Sequence, residues 1–201
     1  MLVNFIVGSI GVLIFLFIFW KRLKEDYSSE IIFKTAFLLL VVLAVFFVSG
    51  SQFLSGWLFF IEAAGIPIGV LIAASRLRVR FFETLEAATI GFMPWLSLFF
   101  LADSVASASL SSFLGFLAIL ILMFVFYYLD VHYKNFSWYK SGKIGFSGLT
   151  ILVLIFLARS LVAIMGITML SFVNQRSEAA ISGSITLVCL LGLYNLGRQK
   201  I

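Results

Sequence analysis

Three ionisable residues stand inside long apolar runs of this chain and are the first candidates for chemistry. They are Glu62, Glu86 and Arg159, the last within "LVLIFLARSLVAIMG". A charged side chain at the centre of a membrane helix costs about 2.5 to 3.5 kcal/mol on insertion scales, so such residues usually face the interior of a helical bundle. A guanidinium offers a planar fork of donors that suits a phosphate. A carboxylate in a dry site has a raised proton affinity. Arg159 is therefore a candidate anion ligand, and Glu62 a candidate base.

The residues that follow Glu62 predict which way it points. Gly65, Gly69 and Ala73 come three, seven and eleven positions later, which places them along one helical face. Small residues let a neighbouring helix approach closely, and Pro67 leaves a backbone carbonyl free one turn earlier. This face predicts that Glu62 points into the bundle.

Arg159 is predicted to lie at a similar depth. If its helix begins near residue 146, Arg159 lies about 20 Å along it, in the outer half of the bilayer. Ala163 and Gly166 follow on the same face and predict an opening toward the outer surface. Two readings stay open: Arg159 pairs with Glu62 and holds two helices in register, or it binds an anionic group such as a lipid phosphate. Glu86 lies within a turn of a helix start, so its charge is better explained by snorkelling to the interface or by the helix dipole than by a functional role.

Composition identifies the elements that must position these residues as membrane spans. The chain of 201 residues is 63% hydrophobic and 11% charged, with a mean hydropathy of +1.17, whereas a soluble domain is about 25% charged. The net charge of +5 comes from residues in short breaks between apolar runs, which indicates membrane topology rather than nucleic-acid binding. The single cysteine, Cys189, allows no disulfide framework, and no metal or cofactor motif is present.

Seven apolar stretches are long enough to cross a hydrocarbon core about 30 Å thick. We predict an all-α fold with one seven-helix transmembrane domain over residues 1–201, with spans at 2–20, 35–50, 57–74, 84–102, 109–129, 146–170 and 179–196. Basic residues concentrate in the first, third and fifth breaks and in the C-terminal tail. The positive-inside rule therefore predicts that the C-terminus is cytoplasmic and that the N-terminus lies outside.

Several segments, spread over most of this chain, resemble the bacterial prolipoprotein diacylglyceryl transferase family. "RLRVRFFETLEA" resembles the family's link before its fourth helix and puts Glu86 at a family carboxylate. "LARSLVA" resembles the family's sixth helix, where an arginine is followed four residues later by a glutamate. On that alignment Arg159 is the family arginine, and Ala163 stands at the glutamate.

Two further family motifs align with changed residues. Phe100 stands at the arginine of the G-R-x-G-N-F signature, and Asp103 stands at its asparagine. Phe60 stands at the histidine of the family's H-G-G segment. The resemblance implies Arg159, Asp103 and Glu86 as substrate-binding residues.

The resemblance implies a multi-pass protein of the bacterial plasma membrane that transfers a diacylglyceryl group from phosphatidylglycerol to the lipobox cysteine of a lipoprotein precursor. Arg159 and Glu62 would then be the catalytic pair, with no cofactor. Two alternatives stay open. One is a catalytically degenerate relative that binds lipid or a membrane partner, and the other is a small transporter subunit whose Glu62 and Arg159 line a path.

Overall fold

The computed structural model describes residues 2–136, 139, 144–165 and 174–198. Within these residues the fold is all-α, and seven helices are long and apolar enough to cross a membrane, as predicted. The helices are α1 (Leu2–Leu23), α2 (Ser29–Phe53), α3 (Leu58–Leu77), α4 (Phe81–Ser107), α5 (Leu110–His132), α6 (Phe146–Ile164) and α7 (Gln175–Arg198). Short 3₁₀ turns, Ser55–Trp57 and Tyr133–Asn135, follow α2 and α5.

Most helices extend beyond the apolar stretches that predicted them. α2 begins at Ser29 rather than at residue 35, and its first turns carry an ion pair of 2.6 Å between Lys34 Nζ and Glu30 Oε1. Helical backbone continues into the polar interface because charged side chains one turn apart support it there. The sixth span is shorter than predicted: α6 ends at Ile164, and residues 166–170 lie outside the described part.

α4 is the central helix of the bundle. Half of its most apolar window is buried inside the protein, against 39% or less for the corresponding window of each other spanning helix. It packs against α1 and α5 and also contacts α3 and α6. Ala87 and Ala88 of α4 are completely buried with Phe15 and Phe19 of α1 in the main hydrophobic cluster. Phe15 approaches α4 most closely at Gly91, where an added Cβ would stand 2.8 Å from its Cδ2.

The small-residue face of α3 packs onto α2. A Cβ atom added at Gly69 would stand 2.8 Å from Leu39 Cδ2, and one at Gly65 would stand 3.1 Å from Leu43 Cδ2. Only glycine permits approach this close. The predicted packing face of α3 is therefore confirmed, with α2 as its partner.

The ends of five helices meet at one end of the bundle. Arg22 at the end of α1 bonds Glu86 of α4 and Asp130 of α5, and Glu86 bonds the start of α6. The backbone N–H of Arg80, after α3, donates to the Tyr27 hydroxyl, after α1. We call this the basic end, because the predicted cytoplasmic breaks lie there; the other is the far end.

Candidate functional site

Arg159 lies inside the bundle near its far end. It stands thirteen residues after the first residue of α6 and five before the last, or about 20 Å from one helix end and about 8 Å from the other at 1.5 Å per residue. Its side chain is 10% exposed. The guanidinium carbon stands 3.7 Å from the centre of the Phe59 ring and 5.3 Å from that of Phe60, both on α3. The predicted position within its helix is confirmed.

The ion-pair partner of Arg159 is Glu178 of α7. Arg159 Nη2 stands 2.8 Å from Glu178 Oε1, and the Glu178 side chain is 1% exposed. The predicted pairing with Glu62 is therefore wrong. The reason is packing: α6 and α7 lie side by side over much of their length, and Ser160 Oγ donates to the Ala179 carbonyl at 3.0 Å. This register places Glu178 beside Arg159, while α3 presents aromatic rings to it.

Sequence reasoning missed Glu178 because it was assigned to the polar break before the last span. A signal was present. Glu178, Ser182 and Thr186 recur every four residues, and all three are buried, at 1%, 0% and 4% exposed. Polar residues at helical spacing beside an apolar span indicate a face turned toward protein.

The ion pair leaves part of the guanidinium without a hydrogen bond. Nη2 is close to Glu178, yet neither Nε nor Nη2 of Arg159 directs its N–H at an acceptor among the described residues, and both atoms are buried. The distance establishes charge pairing, and neither nitrogen makes an aligned hydrogen bond to a described residue. A buried donor without an acceptor costs about 1 to 3 kcal/mol, so these nitrogens favour an additional acceptor.

Glu62 is the other candidate catalytic residue and also lies near the far end. It lies four residues into α3 and is half-buried. In the described part of the chain it has neither an ion pair nor a hydrogen bond. The two candidate catalytic residues are therefore on helices that meet at Phe59, but they are not bonded to each other.

The predicted opening beyond Arg159 is not seen at Ala163. The Ala163 side chain is 2% exposed, so protein covers this face of α6 where the opening was predicted. Gly166, the other residue of that prediction, lies outside the described residues.

Glu86 lies at the basic end, on the other side of the bundle from Arg159, and is 1% exposed. It bonds Arg22, and its Oε2 accepts from the backbone N–H groups of Gly145 and Gly148 at 3.0 and 3.1 Å. Neither snorkelling nor the dipole of its own helix explains it. Instead, Glu86 caps the start of α6, where unpaired N–H groups and the positive end of the helix dipole favour a carboxylate.

The two residues aligned with the G-R-x-G-N-F signature have packing and turn contacts. The Phe100 ring lies over Gly115 of α5, where an added Cβ would stand 2.7 Å from it. Asp103 is exposed in the last turns of α4 and accepts a hydrogen bond from Ser112 of α5. No contact joins either residue to Arg159 in the described structure.

The basic end also holds a cavity of about 280 Å³ lined by both acidic and basic groups. Three of its charged groups have partners: Arg22 bonds Asp130, and Glu83 bonds Arg80 and the Tyr27 hydroxyl. Burial raises the pKa of Tyr27. The hydrogen bond from the Arg80 backbone lowers this pKa and Glu83 raises it, but both effects are smaller than that of burial. This cavity is lined by charges of both signs, so it does not favour a ligand of one charge as clearly as Arg159 does.

The fold defines a multi-pass helical membrane protein, with a buried arginine at one end and a buried carboxylate network at the other. Comparison of the chain with protein-family models, with curated proteins and with solved structures finds no match. The particular function is therefore argued from the site itself.

Proposed function

We propose that this protein binds the phosphate of an anionic phospholipid through Arg159, as a diacylglyceryl transferase-like protein of the bacterial plasma membrane. Phosphatidylglycerol is the lipid that the sequence resemblance implies. One observation carries the proposal: neither Nε nor Nη2 of the buried Arg159 guanidinium makes an aligned hydrogen bond to a described residue, although Nη2 is paired in charge with Glu178.

The surroundings of Arg159 suit a phosphate oxygen better than another side chain. Phe59 covers one face of the guanidinium, which fixes its plane and leaves the edge with its N–H groups for a ligand. Arg159 is about 8 Å from the far end of α6. A lipid headgroup at that end of the bundle can reach the depth of Arg159 while its acyl chains stay in the bilayer.

Transfer of the diacylglyceryl group would use the same arginine. The cysteine thiolate of a lipoprotein precursor attacks the terminal glycerol carbon of the diacylglyceryl group. A C–S bond forms, the C–O bond to phosphate breaks, and glycerol phosphate leaves with the electron pair. Arg159 would stabilise the leaving phosphate, and Glu62, a carboxylate without a bonded partner in the described structure, would take the thiol proton.

Binding without transfer is the second candidate. It is favoured by Phe60 and Phe100, which stand where the resembling family has a histidine and an arginine. Phe60 lies near the guanidinium, and Phe100 packs onto Gly115, so neither supplies a base or a cation. A lipobox peptide incubated with the purified protein and phosphatidylglycerol separates the two candidates, since only a transferase produces the lipidated peptide.

Lipid retention tests the binding itself. Arg159→Gln alone would remove the ion-pair partner of the buried Glu178 carboxylate, at a cost of about 3 to 5 kcal/mol, so a low folded yield is expected. The double variant Arg159→Gln, Glu178→Gln removes both charges and should fold. After purification in mild detergent, mass spectrometry should show at least a tenfold loss of bound phosphatidylglycerol in this double variant.

Arg176→Gln is the matched control, because Arg176 is an exposed arginine in the first turn of α7 at the same end. It removes the same charge outside the bundle and should retain lipid like the wild type. A folded double variant that retains phosphatidylglycerol at the wild-type level would refute the site.

A further inference from the structure

Glu62 is a carboxylate in a membrane-spanning helix with no bonded partner among the residues that the structure describes. It lies in the second turn of α3, about 6 Å from the helix start at Leu58. Charged residues at such positions pair with another group or serve a ligand. Arg159, the nearest candidate partner by sequence reasoning, is already paired with Glu178.

The contacts of its neighbours on α3 show which way Glu62 faces. Gly65 packs onto α2, and Phe59 lies under the guanidinium of Arg159 on α6. At 100° per residue, Glu62 is about 60° around the helix from each of them, on the side between α2 and α6. Ile66, one turn deeper and about 40° away, packs against the main hydrophobic cluster. Glu62 therefore faces the bundle interior above this apolar cluster.

Glu62 lies within one helical turn of Phe59, whose ring contacts the Arg159 guanidinium. The two α3 residues differ by a rise of about 4.5 Å. A phospholipid headgroup whose phosphate is followed by a short alcohol or amine presents an acceptor and a donor at comparable spacing. The two side chains match these groups in order: the guanidinium donates, and the carboxylate accepts.

We propose that Glu62 is a second recognition point of the lipid site, accepting a hydrogen bond from the hydroxyl or ammonium group beyond the phosphate held by Arg159. This inference rests on the proposed phosphate binding at Arg159. It adds a selectivity: the site favours phosphodiester headgroups with a terminal donor over phosphatidic acid, which has no group beyond its phosphate. Phosphatidylglycerol supplies hydroxyl donors, and phosphatidylethanolamine supplies an ammonium.

The test compares three lipids with identical acyl chains: phosphatidylglycerol, phosphatidylethanolamine and phosphatidic acid. Each is added to delipidated protein in detergent, and the bound fraction is measured by native mass spectrometry. Glu62→Gln replaces a charged acceptor with a weaker neutral one, so affinity for the donor-bearing lipid should fall about tenfold. Binding of phosphatidic acid should not change. Glu25→Gln, at an exposed position at the basic end, is the matched control.

The pattern of loss identifies the donor. A loss for phosphatidylglycerol alone identifies the hydroxyl, a loss for phosphatidylethanolamine alone identifies the ammonium, and a loss for both shows that either serves. An equal loss for all three lipids, or no loss for any, overturns the role of Glu62. Failure of the phosphate site is seen separately, since the Arg159→Gln, Glu178→Gln variant would then bind all three lipids like the wild type.

Discussion

Replacing Glu86 should destabilise the whole bundle, because this carboxylate joins α1, α4 and α6. It is 1% exposed and accepts hydrogen bonds from Arg22 and from the backbone of Gly145 and Gly148. Glu86→Gln keeps an oxygen for the two backbone donors but turns an amide toward Arg22. The variant loses one hydrogen bond to a charged group and places the N–H groups of the amide and of Arg22 against each other. The free energy of unfolding should therefore fall by about 3 kcal/mol.

Two further variants should rank above and below Glu86→Gln in their loss of unfolding free energy. Glu86→Ala also leaves the two backbone N–H groups at the start of α6 without their acceptor, so its total cost should be about 5 kcal/mol or more. Asp130→Asn should cost about 1 kcal/mol or less, because the Asp130 side chain is 24% exposed, where water compensates for a weakened pair.

Reversible unfolding by SDS in mixed micelles, followed by the fluorescence of the four tryptophans, measures these free energies of unfolding. The ranking Glu86→Ala, Glu86→Gln, Asp130→Asn is expected, from the largest loss to the smallest. If Glu86→Gln unfolded within about 0.5 kcal/mol of the wild type, the carboxylate would not be the junction described above, since surface changes alone have effects of that size.

Three other changes test separate parts of the structure. Gly69→Val should destabilise the α2–α3 contact by about 1 to 3 kcal/mol in the same unfolding assay, because its Cβ would stand 2.8 Å from Leu39 Cδ2; an unchanged stability would contradict the close packing. Arg159→Lys keeps the charge but loses the planar stack on Phe59, so bound phosphatidylglycerol should fall several-fold by mass spectrometry with little loss of folded protein. Burial raises the pKa of Tyr27. The difference between the absorbance titration curves of the wild type and of Tyr27→Phe should therefore have a midpoint above the ordinary tyrosine value of about 10. The stability linked to this raised pKa is present below the unfolded value and is lost as pH rises through the folded one.

The sequence predicted the helices well because the signal for a membrane span is local. A run of apolar residues long enough to cross the bilayer has to satisfy its own backbone hydrogen bonds, so it forms a helix whatever its neighbours are. The packing face of Gly65 and Gly69 was predicted for the same reason, since small residues at helical spacing indicate close approach of another helix. The ends of the helices were less predictable, because ion pairs such as Lys34 with Glu30 extend them past the apolar stretch.

The site was predicted only in part. The depth of Arg159 follows from counting residues along one helix, and the structure agrees with that count. Its partner does not follow from counting. Glu62 and Glu178 both stand near the far ends of their helices, and only the lateral arrangement of α3, α6 and α7 decides between them.

The sequence alone determined that this protein is a bundle of seven apolar helices with isolated charges inside it, because hydropathy and helical period act within single segments. The tertiary structure decided which charges meet: Arg159 with Glu178, and Arg22 with both Glu86 and Asp130. The physical reason is that apolar helices have no pattern that specifies their neighbours at a distance. Side-chain packing between helices sets the order and register in which they associate, and that packing is a property of the whole bundle.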